Sequence, residues 1–188
     1  MGLDMYAARR LHVKPWEHQK PDERYRVQIA HGGELVAGIQ SDRISDVEED
    51  VMYWRKANQI HGWFVDNVQD GNDDCKSYYV SWDKLRDLLG VCKKVIEASK
   101  LVDGTVYAGT IYNKEHPDGE TLRVPGKVIE DVTVAKKLLP TREGFFFGSY
   151  EYDGDYLDGV KATRDWIVRM LADRDAGVPG DIIYSSSW

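Results

Sequence analysis

Cysteine is scarce in this chain. Only Cys75 and Cys92 are present, far apart and outside any CxxC spacing. That argues against a disulfide framework and a cysteine-based zinc motif, and it predicts reduced thiols in a cytoplasmic setting. Long apolar runs are missing too. No stretch reaches the ~18 residues that mark a transmembrane helix, and MGLDMYAARR has no apolar signal core. Tyr6 stands where a myristoylation signal needs Ser or Thr. Positive charge is in deficit: 25 Lys and Arg against 32 Asp and Glu leave −7. Sequence-specific DNA binding is a poor fit to that balance, because it depends on cations that displace counterions. A small ligand or a basic protein surface fits better. The five histidines are too scattered for a zinc site, and GFFFGS at 144–149 lacks the GK[ST] of a phosphate loop. No cofactor is expected.

What is present is an ordinary globular composition, 42% hydrophobic and 30% charged over 188 residues. That is enough chain for one domain, 1–188, with a real core. Leu3 to Val13 reads as a strand. RYRVQIA (24–30) and ELVAGIQ (34–40) flank Gly32-Gly33 and read as a β-hairpin. Ser45-Asp46-Val47-Glu48 fits a capping box, so a long helix is predicted from Ser45 to an end near Asn67 to Gly71. Val47, Val51, Trp54, Asn58, His61, Val65 and Val68 would form one face of it. SYYV (77–80) reads as a short strand, and Ser81 caps a second helix with Leu85, Leu88, Leu89, Cys92, Val95 and Ile96 inward. Residues 101–130 read as an inserted hairpin. VIEDVTVAKKLL (128–139) reads as a short helix, with strand as the alternative its β-branched residues allow. GFFFGSYEY (144–152) reads as a central strand, a last helix runs from about Asp155 to Arg174, and 178–188 is expected to be a peripheral tail. Strands followed by helices, without strict βαβ alternation, give an α+β class. An antiparallel or mixed sheet would pack against three to four helices.

Asn58 and His61 are the polar members of an otherwise apolar stripe. They stand three residues apart, and so on one helical face. Arg55 and Lys56 lie beside the stripe, and Trp54, Trp63 and Phe64 supply flat apolar surface. A cation, an amide, an imidazole and an indole together suit a planar anionic ligand such as a nucleotide. In that reading Arg55 and Lys56 hold charge and Trp54 or Trp63 stacks. Asn58 and His61 orient the ligand, and Asp73 and Asp74 close one side. The alternative is a buried polar network in which Asn58 and His61 bond neighbouring backbone.

Other constellations are thinner. Asp70, Asn72 and Asp74 have the spacing of a calcium loop, but Cys75 takes the glycine position and Ser81 the glutamate position, so no metal is expected. Cys75 with His61 would make a nucleophile and base only if the fold joined them. Glu151, Asp153 and Asp155 make an acidic patch among tyrosines, an alternative surface for a basic partner protein. Turnover of a nucleotide through His61 and Asp73 or Asp74 is a third reading, without a complete catalytic motif. A homo-oligomer is the base-rate expectation, with no heptad seam behind it.

Three blocks, MGLDMY at the start, YWRKANQIHGWFVDNVQDGNDDC at 53–75 and LLPTREGFFFGSYEYD at 138–153, resemble a family of small, uncharacterised phage and prophage proteins. The resemblance implies a virus-encoded accessory protein acting in the cytoplasm of a bacterial host cell. It also implies opposition to host defence, by sequestering a nucleotide signal or by capping a defence nuclease.

Overall fold

In the computed structural model, which describes residues 2–144 and 146–188, the first strand follows the alternation of its apolar residues. Leu3, Met5 and Ala7 are buried, and β1 spans Asp4–His12. Between it and β4 the hairpin predicted around Gly32-Gly33 forms in miniature, as β2 (Ala30–His31) and β3 (Glu34–Leu35).

β4, Asp46–Arg55, pairs antiparallel with β1. This corrects the helix expected from Ser45. Acidic side chains lie across the register from basic or polar ones: Arg10 Nε sits 2.5 Å from Glu48 Oε1, His12 Nδ1 3.0 Å from Asp46 Oδ1, and Arg9 Nε 3.6 Å from Glu49 Oε2. The run ARRLH is the electrostatic complement of DVEED, and such cross-strand pairs stabilise a sheet. Val47, Val51 and Trp54 match the helical period by coincidence. The helix proper, α1, spans only Asn58–Asn67.

β5 (Tyr78–Val80) and α2 (Trp82–Ala98) form as predicted, with Ser81 Oγ accepting from the Lys84 amide at 3.2 Å. β6 (Leu101–Ile111) and β7 (Glu120–Ile129) make a separate two-stranded ribbon. The 128–139 segment divides: Val128 and Ile129 end β7, and α3 occupies Thr133–Leu138. α4 runs Gly154–Asp175, capped by Asp153. It closes with the Gly177 amide on the Arg174 carbonyl and the Val178 amide on that of Asp173, with Gly177 at φ +82°.

Two further expectations are overturned. The tail is not peripheral. Asp181–Ser187 is β8, an interior strand between β1 and β5, and the antiparallel sheet runs β4-β1-β8-β5. Ile182, Tyr184 and Ser186 are buried on one face of it. The described residues of 144–152 form a loop instead of a central strand; Phe145, like Met1 of the first block, lies outside the described residues.

The sheet and the helices share one apolar cluster. Phe64 of α1 stacks on Tyr184 of β8 with centroids 3.9 Å apart, and Trp54 meets Trp166 of α4 edge-on at 5.1 Å. Both α1 and α2 pack on α4. The class is α+β, with an antiparallel sheet packed on helices.

Candidate ligand cleft

The fold separates the residues that the sequence grouped. β4 ends at Arg55 and α1 begins at Asn58, so the chain must turn sharply between them. Lys56 takes the turn with φ +57°, a left-handed conformation uncommon for a side chain other than glycine. Its amide donates to the Leu3 carbonyl at 2.8 Å. Trp54, one residue before Arg55, points the opposite way into the core. Its Nε1 donates to Thr163 Oγ1 at 2.9 Å and its ring is buried, so it has no face to offer a ligand.

Asn58 is 1% exposed and bonded to backbone on every side. Its Nδ2 donates to the carbonyls of Phe147 (3.1 Å) and Ser149 (2.9 Å), and its Oδ1 accepts from the Arg142 amide (3.0 Å). One side chain thereby holds both ends of the 142–149 loop. His61 is fully buried. Its Nδ1 lies 2.8 Å from the Tyr184 hydroxyl and its Nε2 2.9 Å from Asp73 Oδ2. Burial pushes the imidazole pKa down, against the pull of Asp73, and pushes the Tyr184 hydroxyl up. A neutral ring between a carboxylate and a protonated phenol has one arrangement: Nε2–H donates to Asp73 and Nδ1 accepts from Tyr184. Asp73 also accepts from Trp188 Nε1 at 3.0 Å. The buried-network reading therefore describes Asn58 and His61, and neither aims at a cavity.

Asp74 is occupied elsewhere. Lys76 Nζ lies 2.7 Å away, the Tyr78 hydroxyl donates at 3.0 Å, and Lys76 holds the carboxyl pKa below its usual value. Cys75 is exposed, and both nitrogens of His61 are engaged, so the two do not form a nucleophile and base. Among the described residues no group of three or more His, Cys, Asp or Glu side chains is placed to hold a metal ion. Trp63 packs edge-on against Phe64 and is buried, at the wall of a separate depression beside Lys137 and Arg142.

Arg55 and Lys56 stay together, at a cleft of about 310 Å³ walled by Gln59, the 148–149 backbone and the start of α4. The three acidic candidates, Glu151, Asp153 and Asp155, line the same cleft. Two of them are committed. Glu151 Oε1 is 2.6 Å from Arg123 Nη1, and its Oε2 accepts from the Tyr107 amide at 2.9 Å. Asp153 caps α4 through the Tyr156 amide at 2.9 Å, and burial raises its carboxyl pKa. Asp155 is exposed. Among the described residues neither Arg55 nor Lys56 forms an ion pair. Glu151 is balanced by Arg123, and Arg55 and Lys56 face the carboxylates of Asp153 and Asp155, so the cleft carries no net excess of either sign.

No family model, curated protein or solved structure matches this chain. The site must be argued from its own chemistry.

Sequence reasoning missed two of its parts. Gln59 is 4% exposed; its Nε2 donates to the Tyr156 carbonyl at 3.2 Å, while its Oε1 accepts from no described residue. Gly148 has φ +96°, and a Cβ there would sit 2.8 Å from Lys56 Cβ. Gln59 stands beside Asn58 in the sequence and was visible as a polar residue on the buried helix. Gly148 was legible only as one glycine of GFFFGS.

Proposed function

We propose that this protein binds a small anionic, nucleotide-like ligand without transforming it, and that Arg55 and Lys56 hold the anionic group. The observation that carries the reading is a pair of cations at a cleft wall with no ion pair among the described residues, next to a buried amide whose oxygen accepts from none of them. Phosphate oxygens accept from cations, and a sugar hydroxyl donates to an amide oxygen. The cleft volume lies in the range of small-molecule sites, roughly 300–1,000 Å³. Lys56 in a left-handed turn supports the assignment, because strained backbone is held where a side chain must be aimed.

Binding is favoured over catalysis because His61, the imidazole on which the hydrolase reading depends, is sealed and hydrogen-bonded at both nitrogens. The acidic-surface alternative is weakened by the same geometry, since Glu151 is paired and Asp153 is a buried cap. With the resemblance to phage proteins, the biological reading is sequestration of a host immune nucleotide.

The test is calorimetric titration of mono-, di- and cyclic dinucleotides into the wild type and into Arg55→Ala/Lys56→Ala. Saturable binding is expected, weakened at least about tenfold in the double variant, as the loss of charge-assisted hydrogen bonds implies. Equal binding by both proteins would refute the assignment.

A further inference from the structure

The second cleft, about 540 Å³, lies between the β6–β7 ribbon and the 146–151 loop. It shares Gly148, Ser149 and Glu151 with the cationic cleft, so the two adjoin across the 148–151 segment. Their chemistry differs. The first has cations and an amide; the second has flat surfaces.

Three such surfaces line it, and two of them are held by hydrogen bonds. The Arg123 guanidinium is fixed by its edge: Nη1 donates to Glu151 at 2.6 Å, Nη2 to the Thr105 carbonyl at 2.7 Å and Nε to Thr105 Oγ1 at 3.3 Å. A guanidinium bound by its edge keeps its faces for stacking on a planar ring. Tyr107 is the register partner of Arg123 across the ribbon, is 42% exposed, and is tied at its hydroxyl to Thr110 Oγ1. Phe146 is 56% exposed and lies at φ +60°. For a bulky aromatic residue that conformation is an outlier. A strained backbone that displays a large apolar ring to solvent works against both local preference and burial, and it marks a surface meant to be covered.

Gly148 puts no side chain at that junction. Its backbone packs against Lys56, where a Cβ would sit 2.8 Å from Lys56 Cβ, so the loop and the lysine meet where the two clefts adjoin. We propose that the ribbon-side cleft is the ring subsite of the ligand inferred above. One molecule then lies across Gly148, with its aromatic heterocycle on Tyr107, Arg123 and Phe146 and its anionic group at Arg55 and Lys56. The ligand class is a nucleoside phosphate, and the base is read by stacking, which tolerates different bases. This inference rests on the anionic reading of the first cleft.

The experiment titrates pyrophosphate, adenosine, ADP and GDP into the full chain and into Tyr107→Leu, Phe146→Ala and Arg55→Ala/Lys56→Ala, with circular dichroism to confirm that each variant is folded. Tyr107→Leu and Phe146→Ala are expected to weaken ADP and GDP about tenfold or more, while pyrophosphate changes less than about twofold. The double cation variant is expected to lose pyrophosphate and the diphosphates together. Equal weakening of pyrophosphate and ADP in the ring variants, or none of either, would overturn the ring subsite. If the wild type ignores pyrophosphate but binds adenosine in a Tyr107-dependent way, the anionic reading fails and the ring subsite stands. No binding of any of these probes at millimolar concentration overturns both.

Discussion

Asn58 and His61 sit three residues apart on one helix, and their neighbours give them different work. Asn58 serves three backbone groups of a loop that lines the groove. Removing it leaves the Phe147 carbonyl buried without its partner, so Asn58→Ala should cost about 2–4 kcal/mol. It should also weaken ligand binding, since the 146–149 backbone loses its tether; chemical denaturation and calorimetry on the same sample check both. An unchanged stability would show that the loop is held by something else. His61 titrates in a definite direction. Its folded pKa lies below the unfolded value near 6.5, so the unfolded chain takes up the proton first. Its stabilising contribution is complete above pH 6.5 and is lost as pH falls from there through the folded pKa. Melting temperature followed from pH about 7.5 to about 5 should fall more steeply in the wild type than in His61→Gln. Parallel slopes would mean that another group carries the acid sensitivity. Lys56 makes the opposite kind of prediction. Glycine relieves the left-handed turn, so Lys56→Gly should raise stability by about 0.5–1 kcal/mol while weakening anion binding, read from the shift in denaturation midpoint and the weaker pyrophosphate affinity. A variant that lost stability would mean that the lysine stem packs more than its backbone strains.

At the level of elements, the stretches with strong local signals were legible and those set by distant partners were not. Ser81 and the leucines of α2 declare a capped amphipathic helix, and α4 does the same from Asp153 to Gly177. The first ten residues of the expected long helix went the other way, because their fate depended on a basic strand some forty positions earlier. A periodicity window sees Val47, Val51 and Trp54; it does not see Arg9, Arg10 and His12 across the sheet. β8 was hidden by composition: its inward face alternates Ile182, Tyr184 and Ser186, and the serines made it look like a tail. Of the candidate site, Arg55 and Lys56 were found because they stand together in the sequence. Tyr107 and Arg123 were not, because only the ribbon's register makes them neighbours. The element that matters most to the groove is the 146–149 loop. Gly148→Ala would place a methyl 2.8 Å from Lys56 Cβ on a backbone at φ +96°. It should weaken ADP more than pyrophosphate if the ligand crosses Gly148, and the ratio of the two affinities is the measurement. A proportionate loss of both would place the ligand wholly on one side.

On the scale of the whole molecule, two excursions from the sheet have opposite standing. β8 pairs with β1 and β5 at once, so truncation before Asp181 would detach β5, remove Tyr184 from Phe64 and leave His61 without its hydroxyl partner. The 14–45 connection contains no buried residue, although it carries exposed Trp16, Leu35 and Ile39. Long connections of this kind serve a function or act as linkers, and the fold does not lean on them. Its two ends already meet, since the Val13 amide donates to the Ser45 carbonyl at 2.9 Å. Joining Val13 to Ser45 through an Asn-Gly turn should therefore give a folded protein with a melting temperature close to that of the full chain. Deleting 181–188 should give none. The excised arm meets β4 at its first residue, whereas Arg55 is its last, about 30 Å away along an extended strand. The shortened protein should thus bind ADP with the affinity of the full chain. A loss of binding with the fold intact would mean that the arm reaches back over the groove and shares the ligand with it.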